Sequence, residues 1–249
     1  MAVKLCLLGY GKMGKMIAAL APELECSVVS IIDPNQKDCY HSITAESLQD
    51  ADVCIDFSHL SAVLENMQKV LSYQKNMVVG TTGWFQYLEE IKQQVQLAGT
   101  GFLYGANFSI GMNIFKRLVA EATKAFDRFP EFDVYGLEIH HNQKADSPSG
   151  TALELSKTIL ANNSRKKKTL FEPAYRKIEP DELHFASVRA GSFPGTHIVG
   201  FDSETETIEL SHCVRSRSTF AYGALQAAKW IKDRKGFFSF EDMIADVLC

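Results

Sequence analysis

Hydrophobic positions fall into two patterns along this chain. In the first, short unbroken apolar runs alternate with amphipathic stretches of helical period, the rhythm of buried parallel strands joined by helices. Runs at 2–8, 27–32, 51–57, 76–79 and 101–104 read as strands. Segments 15–22, 60–72, 85–97 and 112–126 read as helices, the first ending near Pro22. In the second pattern, 133–139, 183–190, 196–202 and 205–214 partly alternate apolar with polar positions, with few helices between, which predicts a mixed or antiparallel sheet. Segments 220–232 and 240–248 are helical again, and with no third core to join they are expected to return to the first domain. The prediction is an α/β chain. An N-terminal Rossmann-type dinucleotide-binding domain, 1–106 completed by 217–249, precedes a C-terminal α+β domain with a mixed sheet, 107–216.

The first strand runs directly into Gly9-Tyr-Gly11-Lys12-Met13-Gly14, then a helix, a second strand and Asp33. That order is the dinucleotide fingerprint in its required context. Gly9 permits the tight turn, Gly11 lets a pyrophosphate approach the backbone, and Gly14 allows close helix–strand packing. Asp33 follows Gly14 by about 20 residues, where an acid takes the adenine-ribose hydroxyls. Ligands of open parallel sheets bind outside the carboxyl ends of the strands. By that rule Phe57-Ser58, Gly80-Thr81-Thr82 and Ala106-Asn107-Phe108 edge the same crevice.

The densest chemistry lies at Glu138-Ile-His140-His141-Asn-Gln-Lys144-Ala-Asp146-Ser-Pro148-Ser149-Gly150-Thr151-Ala152. Residues two apart on a strand share a face, so Glu138 and His140 point one way and His141 the other. Asp-Ser-Pro turns the chain. Thr151 with Glu154 fits a capping box, and 152–160 reads as the helix it opens. The backbone N–H groups of Gly150 and Thr151, with Lys144 near them, form a seat for a carboxylate. The competing reading is a solvated surface loop with an ordinary helix cap. Glu138 either raises the basicity of His140 or pairs with a lysine. His197 and His212 read as structural histidines, His41 and His184 as loop or edge residues, and His59 as a weak neighbour of the cofactor crevice.

Composition narrows the classes. Apolar residues at 46% and charged residues at 22% are ordinary for a globular protein, and a net charge of −4 gives no case for nucleic acid. The basic run Arg165-Lys-Lys-Lys168 reads as a solvated loop. Six scattered cysteines form no Cys-x-x-Cys pair, so no metal centre is expected, and Cys6 and Cys54 read as small hydrophobes inside strands. No signal peptide precedes the first strand and no apolar run reaches the roughly 18 residues of a membrane span. A cytoplasmic protein with reduced cysteines and no membrane partner is expected.

Together, Glu138-Ile-His-His-x-x-Lys144-x-Asp146-x-Pro148-Ser-Gly-Thr-Ala152, Gly9-x-Gly-x-x-Gly14, Asp56-Phe-Ser58, Gly80-Thr-Thr-Gly83, Ala106-Asn-Phe-Ser109, Val188-Arg-Ala-Gly191 with Gly195-x-His197, and Ser216-Arg-Ser-Thr-Phe-Ala221 closely resemble the motifs of the dihydrodipicolinate (4-hydroxy-tetrahydrodipicolinate) reductase family. The resemblance covers nearly the whole chain. It implies reduction of a cyclic dicarboxylate imine by NADH or NADPH on the diaminopimelate and lysine route, in a homotetramer assembled through the second domain's sheet.

Carried over by position, the resemblance makes His140 the proton donor and His141 and Lys144 substrate-site residues. Lys144 is also counted among the catalytic residues. Ser149, Gly150 and Thr151 hold a substrate carboxylate, and Arg217 matches an arginine near the cofactor and the interdomain cleft. Gly9, Gly11, Lys12, Met13, Gly14, Asp33, Phe57, Gly80, Thr81, Thr82, Ala106, Asn107 and Phe108 fall on or beside cofactor positions. The chain departs from some members where an arginine follows the ribose-binding acid. Here Asp33 is followed by Pro34 and Asn35, which favours NADH, although Lys12 could attract a phosphate. The segment between Asp33 and Ala51 is also short. Two alternatives share the nucleotide fold: another two-domain NAD(P)-dependent dehydrogenase of a small amino-acid-like substrate, and an NADH-binding regulator without turnover.

Overall fold

A computed structural model describes residues 2–248, so Cys249 lies outside the described residues. It divides into two compact units, one running to Ile110 and resuming at Ser218, the other Gly111–Arg217. In chain order the elements are β1 (Val3–Leu8), α1 (Lys12–Leu20), β2 (Cys26–Ile32), α2 (Ala45–Leu48), β3 (Val53–Asp56), α3 (Leu60–Ser72), β4 (Asn76–Val79), α4 (Leu88–Ala98) and β5 (Gly101–Tyr104). The second unit then supplies α5 (Ile110–Phe126), β6 (Asp133–His140), α6 (Gly150–Asn162), β7 (Lys168–Leu170), β8 (Glu182–Arg189), β9 (Thr196–Asp202) and β10 (Thr207–Cys213). The chain returns with α7 (Ser218–Ile231), β11 (Gly236–Ser239) and α8 (Phe240–Leu248).

In the first unit the strand order is β11-β5-β4-β3-β1-β2, all parallel. β1 and β3 are interior and bury almost every side chain, which is why their sequences are unbroken apolar runs. Cys6 and Cys54 stand opposite each other in register, fully buried and reduced, as small core hydrophobes. The chain leaves β1 for β2 on one side and then crosses to β3 on the other. This reversal opens a crevice at the carboxyl ends of β1 and β3. α7 packs on β3, β4 and β5 through small residues, and a Cβ at Gly223 would lie 1.8 Å from the Phe108 carbonyl oxygen. Glycine there lets the helix lie against the loop that follows β5. A 3₁₀ turn at Ala21–Leu24 places Pro22 after α1, as a helix stop requires.

The second unit is a mixed sheet, β10-β9-β6-β8-β7, with α5 and α6 over one face. Val134, Phe185, Val199 and Phe201 face Phe115, Val119, Leu155 and Ile159 in one core cluster. The basic run departs from its expected solvated loop. Lys166 is 3% exposed, donates to the Pro180 and Glu182 carbonyls, and lies 2.6 Å from the Asp133 carboxylate. Lys168 opens β7. Backbone acceptors and an acid around one ammonium explain how this charge is buried.

Candidate active site

The cofactor side of the site lies in the first unit. A cavity of about 390 Å³ is lined by Gly9, Gly11, Asp33, Asn35, His41, Phe57, Ser58 and Lys69, among others, at the carboxyl ends of β1, β2 and β3. Gly9 has φ +90, and a Cβ there would stand 2.7 Å from the Phe57 carbonyl oxygen. A Cβ at Gly14 would meet the Gly9 carbonyl oxygen at 2.2 Å, whereas one at Gly11 would meet nothing within 4 Å. Gly14 is therefore a packing glycine, and Gly11 leaves its backbone open to an approaching ligand. Gly11 caps α1 without a side-chain hydrogen bond, so Lys12, Met13 and Gly14 form the first helical turn rather than a loop. Those N–H groups suit a pyrophosphate. Asp33 accepts from the Tyr10 N–H at 2.7 Å and the Asn35 N–H at 2.8 Å, which fixes its carboxylate at the cavity wall.

The neighbouring loops are tied by Asp56, a fully buried carboxylate. Burial pushes its pKa up, while Ser58 N–H and Oγ, Thr81 Oγ1 and Asn66 Nδ2 all donate to it, at 2.7–2.9 Å. Gly80, Thr81 and Thr82 follow β4, and Ala106, Asn107 and Phe108 follow β5; neither loop reaches this cavity. Phe108 is buried between the rings of Phe57 and Phe240. The residues present fit a dinucleotide. His41, expected in a plain loop, lines the cavity, and so does His59, whose Nδ1 caps α3.

In the second unit, strand register builds an acid–base cluster. Glu138 on β6 stands opposite Ser187 on β8 and His197 on β9, and His140 stands opposite Arg189. Glu138 has no exposed side-chain surface, and its Oε1 accepts from Ser149 N–H at 2.9 Å, Ser187 Oγ at 2.7 Å and Arg189 at 2.9 Å. Its Oε2 lies 3.3 Å from His140 Nδ1 and 3.5 Å from His197 Nε2. Burial would raise the Glu138 pKa, but the His197 ring beside it and donation from Ser149, Ser187 and Arg189 outweigh it and hold the carboxyl well below the usual range. Burial likewise lowers His140 to about 4 against the pull of Glu138, and His197, Lys144 and Arg189 add to the lowering. His197, read from sequence as structural, thus belongs to the cluster: it is 3% exposed and its ring centroid is 5.2 Å from that of His140. Arg189, and neither lysine nor His140 alone, is the charge partner of Glu138.

The helix beside this cluster begins two residues earlier than its sequence pattern predicts. Ser149 is the N-cap of α6, its hydroxyl accepting from Ala152 N–H, and Thr151 lies inside the first turn. Glu154 pairs with Lys116 at 3.0 Å and so does not close a capping box. Gly150 and Thr151 keep N–H groups at the helix start, where no intrahelical acceptor exists. Lys144 Nζ rests on Asp146 at 2.7 and 2.9 Å, and Arg189 donates to the Asp146 carbonyl at 2.7 Å. His141 N–H donates to the Phe193 carbonyl at 2.8 Å. A Cβ at Gly195 would come within 3.0 Å of His140 Nε2, so glycine leaves the ring its room. Arg217 is exposed just ahead of α7 and is not part of the cluster around Glu138. His212 on β10 packs its ring against Phe115, as a structural histidine does.

A dinucleotide cavity at a Rossmann switch point and a buried acid–base cluster on a mixed sheet define an NAD(P)H-dependent oxidoreductase. Comparison with known proteins agrees. Residues 3–108 match the family described as dihydrodipicolinate reductase, N-terminus, and residues 111–244 match dihydrodipicolinate reductase, C-terminus. The chain is 33% identical to 4-hydroxy-tetrahydrodipicolinate reductase of Christiangramia forsetii, over 98% of this chain and 99% of that one. It is 34% identical to the enzyme of the same name from Zymomonas mobilis subsp. mobilis, over 98% and 97%. The solved structure of dipicolinate-bound dihydrodipicolinate reductase from Paenisporosarcina sp. TG-14 shares the fold with a TM-score of 0.78 at 22% identity, covering 98% of this chain and 100% of that chain. The chain belongs to the dihydrodipicolinate reductase family.

Proposed function

We propose that this chain reduces 4-hydroxy-tetrahydrodipicolinate with NADH, His140 supplying the proton and Lys144 with the Gly150–Thr151 backbone holding the substrate carboxylates. The observation that carries this reading is the register of β6, β8 and β9, which gathers His140, Glu138, Arg189 and the capping Ser149 at one place. Loss of water from the 4-hydroxy substrate leaves a conjugated imine, to which a bound nicotinamide would supply hydride, and the resulting enamine needs one proton on carbon. His140 gives that proton. Lys144 exchanges Asp146 for a substrate carboxylate, and the α6 N-terminus receives a second charge through N–H groups already aimed outward. His141 adjoins the same loop.

The test is to supply purified synthase product and follow oxidation of the nicotinamide by absorbance. Substrate-dependent oxidation is expected. A folded protein that binds NADH and turns over nothing would leave only a binding function. NADH is expected to exceed NADPH in kcat/KM by about tenfold or more, because like charges about 4 Å apart near a surface repel by a few kcal/mol. The cavity lining carries Asp33 and Glu65 against one lysine, Lys69, which Glu65 already pairs at 2.6 Å. Equal use of both cofactors would remove this role from Asp33.

Lys144→Ala is expected to raise the substrate KM by on the order of 10- to 100-fold, the value of a charge-assisted hydrogen bond. NADH affinity, measured by fluorescence titration, should stay within about twofold. Equal loss of both would contradict the assignment.

Assembly as a homotetramer, in the cytoplasm, completes the proposal. It is supported by the sheet face that α5 and α6 leave open, where Leu137, Ile139, Ala186, Val188 and Ile198 stand side by side. Light scattering should give a tetramer, and Ile198→Asp should lower the mass; a wild-type monomer would reject this interface.

A further inference from the structure

We propose that Glu138 and His140 form a slot for a single proton that fills when the dianionic substrate binds, so that the proton delivered to carbon enters the enzyme with the substrate. The inference rests on the reductase reading above and makes Glu138 a positioning residue. Three donors saturate Glu138 Oε1, whereas Oε2 is buried without a hydrogen bond. His140 Nδ1 is also buried without one, and the two atoms face each other across 3.3 Å. The buried carboxylate oxygen favours the neutral tautomer with its hydrogen on Nδ1, so an added proton enters at Nε2 and turns the pair into a charge-assisted one.

The surroundings explain why the slot waits for substrate. His140 is faced by Glu138 from its own strand, His197 from β9, Arg189 from β8 and Lys144 from the following loop. Of these only Glu138 favours a charged ring. Burial and the cations oppose it, which keeps free His140 neutral at neutral pH. Two substrate carboxylates reverse that balance by adding negative charge beside the ring, one of them taking the place of Asp146 on Lys144. The ring then takes one proton from solvent. Its Nδ1–H closes on Glu138 Oε2, its Nε2–H passes to the substrate carbon as hydride adds, and the ring returns to neutral. Glu138, His140 and His197 place ligand-type atoms within 4.8 Å of one another, but Arg189 already neutralises the carboxylate, which suits one proton better than a divalent ion.

Calorimetric titration of the full-length enzyme, loaded with NADH, by dipicolinate in buffers of different ionisation enthalpy counts the protons taken up. Dipicolinate is itself a dianion at neutral pH and so brings none. Wild type is expected to take up about one proton per site near pH 7. His140→Gln and Glu138→Gln are expected to bind dipicolinate with uptake lost, and a structural role alone would not change that count. Binding without uptake in wild type would overturn the proposal and leave the reductase reading standing. Absence of dipicolinate binding by the folded enzyme would overturn both. Uptake that persists in His140→Gln would move the proton elsewhere and overturn the slot. Wild type and His140→Gln decide the matter even if Glu138→Gln does not fold.

Discussion

Replacing His140 with glutamine is expected to lower kcat by on the order of 10²- to 10⁴-fold, the usual contribution of a positioned acid. Glutamine keeps the bulk and polarity of the side chain and can still donate toward Glu138 Oε2, so the packing around Gly195 should survive. What it cannot do is titrate. Single-turnover rates with saturating cofactor isolate this step, and a rate within a few-fold of wild type would require a different donor. The same substitution carries a stability signature. Folded His140 is held at about 4, below the ordinary 6.5. Between those values the unfolded chain binds a proton that the native ring refuses, so wild-type stability rises with pH and falls as pH drops through that window. In His140→Gln this part of the slope should vanish from denaturation curves measured across it.

Glu138→Ala is expected to cost about 3–5 kcal/mol of stability, which for a chain of this size lowers Tm by on the order of 10 °C. The carboxylate is unexposed, and its removal leaves the Arg189 guanidinium, the Ser187 hydroxyl and the Ser149 N–H without their acceptor at the middle of the sheet. Thermal and urea unfolding by circular dichroism would measure the loss. Because folding holds Glu138 below its ordinary pKa, its contribution is present above the unfolded value near pH 4.5 and is lost as pH falls toward the lower folded value. Wild type and variant should therefore converge in acid. A stability change under about 1 kcal/mol at neutral pH would show that the network does not hold the sheet together.

Several elements could be read from the chain to the residue: Leu60–Ser72, Asn76–Val79, Gly101–Tyr104, Thr196–Asp202 and Phe240–Leu248. Each is a clean run of one period between turn-forming residues. β7, β11 and α2 escaped because three or four residues carry no period, and Lys168 reads as solvent-facing. The cap of α6 was misplaced because Ser149 and Thr151 are both good caps, and local geometry chose the first. His140 and Lys144 lie inside a dense motif and were visible. Arg189 and His197 lie some fifty residues downstream and reach Glu138 only through strand register, which no local pattern encodes. Lys166 was misread for the same reason, since its acceptors come from the far side of a loop.

Ser149 caps α6 with its hydroxyl while giving its N–H to the carboxylate that faces His140. On the proposed mechanism, one residue thus fastens the place where the substrate would be gripped to the place where acidity would be set. Anyone retooling this scaffold for a bulkier or less charged imine will find the two traits inherited together: reshaping the grip will move the pH optimum, and catalysts selected at a new pH will drift in what they accept.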